Sequence, residues 1–143
     1  MILVDANLLI YAVNQDFQQH RAAREWWEST LSNGESVGIP WVVILAFTRI
    51  CTNQRVFAHP LSTDEAIAYI DEWLDRPAVT AVSPGKNHWN LLRGLLLETG
   101  TGGNLTTDAH IAALALEWNC TVYTTDNDFK RFAAVRHANP LAQ

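Results

Sequence analysis

The stretch Met1-Ile2-Leu3-Val4-Asp5-Ala6-Asn7-Leu8-Leu9-Ile10-Tyr11-Ala12-Val13 changes its hydrophobic period at Asp5. Up to Val4 the residues form a short apolar run, the length of a buried strand. Beyond Asp5, the residues Leu8, Leu9, Ala12 and Val13 fall on one side of a helix. A strand that turns straight into a helix through an aspartate opens an α/β chain, and the rest of the sequence repeats the alternation.

Working outward, a longer helix is expected over His20 to about Leu31, ended by Asn33-Gly34, with a brief strand at Ser36 to Ile39. Pro40 suits the first turn of a helix, where its missing N–H is no loss. Trp41 to about Thr52 continues as a nearly all-apolar helix, expected to be buried on most sides. Ser62 and Thr63 can cap a helix running to about Asp75. A strand at Val79 to Val82 follows, then a helix from Lys86 to about Glu98, stopped by Gly100, Gly102 and Gly103. Leu105 to Trp118 reads as an amphipathic helix, Thr121 to Thr124 as a strand, Asn127 to Phe132 as a short helix and Val135 to His137 as an edge strand. The alternation predicts an α/β fold, a central parallel sheet with helices on both faces, in a single domain over residues 1–143.

A hydrophobic fraction of 48% is enough for a sizeable core. No run approaches the roughly 18 apolar residues of a membrane span, and no basic region precedes the first strand, so the chain is expected to be soluble and cytoplasmic, with no membrane partner. Cys51 and Cys120 sit in apolar segments without metal-ligand spacing, which predicts reduced, buried thiols. The net charge of −5 excludes a nucleic-acid binder that works through an overall basic surface. RNA binding then requires that several acids serve a metal site and that cations gather beside it. Lys86, Arg93, Lys130 and Arg131 are the candidates for guiding RNA, and each reads equally as solvated surface.

Three aspartates share one structural address. Asp5 follows the first strand, Asp126 follows the late strand, and Asp108 opens the helix leading into that strand. In a parallel sheet all three places lie on the carboxyl-end rim, where α/β proteins bind ligands. Each one alone reads as a helix cap. Together they do not, because two carboxylates about 4 Å apart repel by about 4 kcal/mol at an effective dielectric of about 20. Such a rim needs a cation. Oxygen donors without a Cys/His cluster favour Mg²⁺ or Mn²⁺ over zinc, and such ions polarise phosphates and activate water, so phosphodiester hydrolysis is the expected chemistry. Asp128 can extend the site, while Asn7 and Thr124 can hold a ligand or phosphate oxygen or serve as ordinary turn residues.

The segments Ile2-Leu3-Val4-Asp5-Ala6-Asn7, Thr106-Thr107-Asp108-Ala109-His110-Ile111-Ala112-Ala113 and Val122-Tyr123-Thr124-Thr125-Asp126-Asn127-Asp128-Phe129 together resemble PIN-domain proteins, and more narrowly VapC-type toxins of bacterial toxin–antitoxin pairs. The resemblance implies an α/β/α fold and a Mg²⁺- or Mn²⁺-dependent endoribonuclease acting on structured RNA such as tRNA or rRNA. It also implies homodimerisation and inhibition by a VapB-like antitoxin. Carried over by motif, Asp5, Asp108 and Asp126 are the catalytic metal ligands, Asp128 an accessory ligand, and Thr124 the hydroxyl residue before the fourth acidic position. One departure stands out. Many members carry a glutamate on the helix matching Trp41–Thr52, and the corresponding residue here is Ala46. The site then works with aspartates alone, or Glu98 or Asp64 swings in, or the domain binds RNA or antitoxin without cutting.

A phosphatase of the haloacid-dehalogenase type is a further enzymatic reading, with Asp5 as covalent nucleophile, but the usual second acid is replaced by Asn7. Arg49, on the apolar helix, is expected to pair with an acid, touch phosphate or emerge at the helix end. Most of the six tryptophans are expected in the core, with one of the adjacent Trp26-Trp27 pair exposed, and His110 is expected to be structural.

Overall fold

Leu3 and Val4 have no solvent exposure, which places their strand in the interior of the sheet. The computed structural model describes residues 1–100 and 102–142. Strand β1 (Ile2–Val4) pairs in parallel with β2 (Val37–Pro40) on one side and β4 (Thr121–Tyr123) on the other. The edges are β3 (Val79–Val82), beside β2, and β5 (His137–Ala138), beside β4, giving the order β3-β2-β1-β4-β5 with every pairing parallel.

Two groups of helices cover the sheet. Helices α1 (Ala6–Val13), α2 (His20–Ser32), α3 (Trp41–Cys51) and α4 (Thr63–Leu74) contact one another, and α5 (His88–Thr99) packs on α6 (Thr106–Trp118). The chain steps from β1 to β2 to β3 in one direction and returns to β4 on the far side of β1. Right-handed crossovers therefore put the two groups on opposite faces. The strand order reverses between β1 and β4, so the crevice expected to take ligands opens at their carboxyl ends.

Most elements form where periodicity puts them, and the differences have local causes. Helix α5 begins at His88 instead of Lys86 because the Glu117 carboxylate accepts the backbone N–H groups of Gly85 (2.8 Å) and Asn87 (3.3 Å), holding that stretch as a loop. Leu105 closes a 3₁₀ turn, Gly103–Leu105, before α6 starts. The segment Asn127–Arg131 is a 3₁₀ helix, and Val135 belongs to the turn after it, its N–H bonded to the Phe132 carbonyl; the ladder with β4 starts only at His137. Helix α3 is less enclosed than its composition predicts, because Trp41, Leu45 and Arg49 form an exposed stripe. Both cysteines are free and buried, as expected. The tryptophans divide differently from expectation. Trp27 and Trp73 are buried and Trp26 is partly covered, its ring stacked on Tyr123, whereas Trp41, Trp89 and Trp118 are exposed. Among the described residues no helix is long and apolar enough to cross a membrane.

Candidate metal centre

The carboxyl ends of β1 and β4 carry Asp5 and Thr124. Asp5 is 8% exposed, and both of its oxygens are held: Oδ1 accepts the Ala6 N–H at 2.8 Å and Oδ2 accepts the Thr124 hydroxyl at 2.7 Å. The same Thr124 oxygen accepts the Asp126 N–H at 3.0 Å, and Asp126 Oδ1 in turn accepts the Asp128 N–H at 2.8 Å. A continuous chain of hydrogen bonds thus runs from the end of β1 to the start of the 3₁₀ helix. Burial raises the pKa of Asp5, the Thr124 and Ala6 bonds pull it part of the way back, and the charge of Asp126 adds to the rise.

Asp108 comes from the first turn of α6 and makes no capping bond; the residue at the cap position is Leu105. The bland capping reading therefore fails for this aspartate, while Asp5 and Asp126 do bond to N–H groups at helix starts. One carboxylate oxygen each from Asp108, Asp126 and Asp128 lies within 4.8 Å of the others. Burial, then the charges of Asp126, Asp5 and Asp128, and a hydrogen bond with Asp126 push the Asp108 carboxyl up to about 7. The part of that shift that comes from Asp126, Asp5 and Asp128 is the repulsion a cation would offset. Nearby in sequence, Asn7 has a buried side-chain oxygen without a hydrogen-bond partner among the described residues. An all-oxygen donor set with an unused buried acceptor fits a hard divalent ion.

Among the described residues, the carboxylate cluster includes neither Glu98 nor Asp64. Glu98 and Asp64 are exposed on α5 and α4, and neither contributes to the field at Asp108; Ala46 on α3 is partly buried and offers no donor. Arg49 is exposed on the last turn of α3. Lys86, Arg93 and Lys130 are exposed as well, whereas Arg131 sits with its Nε 3.7 Å from Asp128 Oδ1. His110 Nδ1 lies 2.8 Å from His88 Nε2, in a cluster with Glu117 that ties α5 to α6. This Glu117–His88–His110 cluster was not legible in the sequence: His110 and Glu117 share α6, but His88 joins them from α5, 22 residues before His110. A cavity of about 690 Å³ between α2 and α4, lined by Trp27, Tyr69 and Trp73 among others, contains none of the aspartates.

A model of the PIN-domain family matches residues 2–135. Ribonuclease VapC33 of Mycobacterium tuberculosis is 41% identical over 143 residues, which cover all of both chains. This chain is a PIN-domain protein of the VapC family. Two solved structures share the PIN fold at low identity. The sarcin–ricin-loop-cleaving toxin VapC20 of Mycobacterium tuberculosis superposes with a TM-score of 0.69 at 19% identity, covering 94% of this chain and 95% of the other. The promoter-DNA-bound VapBC2 complex of Rickettsia felis contains a chain with a TM-score of 0.68 at 19% identity, covering 97% and 98%. The PIN domain accounts for the parallel sheet and for the location of the rim at which the aspartates meet.

Proposed function

We propose that this chain is the toxin of a toxin–antitoxin pair, a Mg²⁺- or Mn²⁺-dependent endoribonuclease that hydrolyses phosphodiester bonds in structured RNA such as tRNA or rRNA, in the cytoplasm, under the control of a VapB-like antitoxin. The observation that carries it is the convergence of Asp108, Asp126 and Asp128 to within 4.8 Å of one another, with Asp5 beside them. The names of its relatives, a ribonuclease and a toxin that cleaves an RNA loop, support RNA as substrate, and the VapBC2 complex supports an antitoxin as partner.

Asp5, Asp108 and Asp126 would hold the ion, with Asp128 as accessory ligand. When bound, a divalent ion supplies charge neutralisation for the phosphate and a lowered pKa for an attacking water. The residues of the chain set up that chemistry. The Thr124 hydroxyl fixes the orientation of Asp5 and the path of the Asp126 backbone with one oxygen atom. Asp108, its carboxyl pushed up to about 7 chiefly by burial and then by the neighbouring carboxylates, would give up its proton more readily once a cation offset their charge. Asn7 offers its unused oxygen as a further acceptor.

Incubating purified, antitoxin-free protein with total cellular RNA in Mg²⁺, in Mn²⁺ and in EDTA, then mapping fragment ends, tests this reading. Discrete metal-dependent cuts that disappear in a folded Asp5→Asn variant are expected. Cutting that survives Asp5→Asn would remove that residue from the site. A second reading is motivated by Ala46: a PIN-like module that binds RNA or antitoxin without cleavage. It predicts RNA binding that is equal in EDTA and Mg²⁺, with no shortening of the RNA.

A further inference from the structure

The inference concerns how the proposed nuclease meets its substrate, and it rests on that reading. Among the described residues, Arg131 is the one cation within ion-pair distance of any of the four aspartates. Its Nε stands 3.7 Å from Asp128 Oδ1, with the Arg131 side chain 57% exposed. At that distance the pair is electrostatic and not a hydrogen bond, and exposed pairs of this kind contribute little to stability. The fork of guanidinium donors is therefore not consumed by the fold. The backbone that carries it is nevertheless anchored, because Phe129 and Phe132, two residues before Arg131 and one after, are 0% and 1% exposed and hold the 3₁₀ helix to the core. A guanidinium on an anchored backbone, largely unused by the fold and at the edge of a carboxylate cluster, suits one occupant. That occupant is a phosphate bound to the same cluster, since the planar fork matches two phosphate oxygens.

We propose that Arg131 is a substrate-binding residue: its guanidinium takes the oxygens of an RNA phosphate at the metal centre and rests against Asp128 when no substrate is present. Lys130, its exposed neighbour, makes no ion pair with the cluster among the described residues, and Arg21, paired with Glu25 on α2, provides a control of equal charge.

The test measures binding of a short fluorescein-labelled, mixed-sequence single-stranded RNA by anisotropy. It uses full-length Asp5→Asn protein in Mg²⁺, so that the probe stays intact, over a series of salt concentrations. Adding Arg131→Gln is expected to weaken binding about tenfold at low salt and to reduce the slope of log affinity against log salt by about 0.7, the contribution of one contact to a single strand. Arg131→Lys should keep the slope, and Arg21→Gln should change neither quantity. In otherwise native protein, Mn²⁺ should bind Arg131→Gln severalfold more tightly, because a neighbouring cation has gone. An unchanged salt slope in Arg131→Gln overturns the assignment even where the native chain cuts RNA. Weaker Mn²⁺ binding by that variant also overturns it, since the arginine would then be supporting Asp128 instead. Native protein that neither binds nor cuts RNA overturns the nuclease reading and this inference together.

Discussion

The Thr124 hydroxyl is the point at which two separated strands become one site. It donates to Asp5 and accepts from the Asp126 N–H, both in largely buried surroundings. Replacing it with valine keeps the shape and leaves the Asp5 oxygen and the Asp126 N–H without their partner. A loss of about 1–3 kcal/mol in urea denaturation is expected for Thr124→Val, with most of it recovered in Thr124→Ser. Equal stability of the valine and serine variants would show that the hydroxyl does not matter. The second residue-scale consequence is a pH dependence. Asp5 and Asp108 have raised pKa values in the folded chain, Asp108 to about 7, so the folded state binds more protons than the unfolded one over this range. Without metal, stability is then highest in acid and falls as pH rises from about 4, the unfolded value, toward the folded value. Asp108 is half-buried, so its share is discounted for solvent to about 1–2 kcal/mol. Melting in EDTA should occur a few degrees higher at pH 5 than at pH 7.5, and Asp108→Asn should narrow that gap; a gap of equal size in the variant assigns the dependence elsewhere.

At the scale of elements, the sheet is set by close approach. Gly38 in β2 has no room for a side chain: a Cβ there would stand 2.7 Å from Val82 Cγ2 and 3.0 Å from Leu3 Cδ1. Gly38→Ala should cost about 1–3 kcal/mol through overpacking between β1 and β3. Unchanged denaturation would mean that β3 shifts at no cost. Helix α4 behaves more simply. Ser62 and Glu65 form a reciprocal capping box, so Ser62→Ala should cost about 1 kcal/mol while leaving Mn²⁺ affinity unchanged, because none of the four aspartates lies on α4.

The whole molecule is needed to assemble the centre. Asp5, Asp108 and Asp126 come from a strand end, a helix start and a turn that meet only when β1 lies beside β4 and α6 crosses behind them. A metal bound there is bound by the folded state, and at about 100 times its dissociation constant it would stabilise the chain by about 2.7 kcal/mol. Scanning calorimetry at pH 7.5 should show a clear rise in melting temperature with Mn²⁺ over EDTA, and Asp108→Asn should lose most of that rise. A full rise in the variant would take Asp108 out of the ligand set.

The α/β alternation, the parallel sheet and the rim address of the three principal aspartates were legible in the amino-acid sequence. These follow from hydrophobic period and from the way strands and helices must connect, which are local properties repeated along the chain. Helix starts shifted where a distant residue intervened, as Glu117 does at Gly85 and Asn87, and no local pattern could reveal that. It took the folded arrangement to join Asp5 to Asp126 through Thr124, to leave Glu98 and Asp64 outside the carboxylate cluster, and to bring Arg131, among the described residues, within ion-pair distance of it. The reason is distance: hydrogen bonds and Coulomb interactions depend on separations in space of a few ångströms, and chain spacing does not set those until the sheet order is fixed.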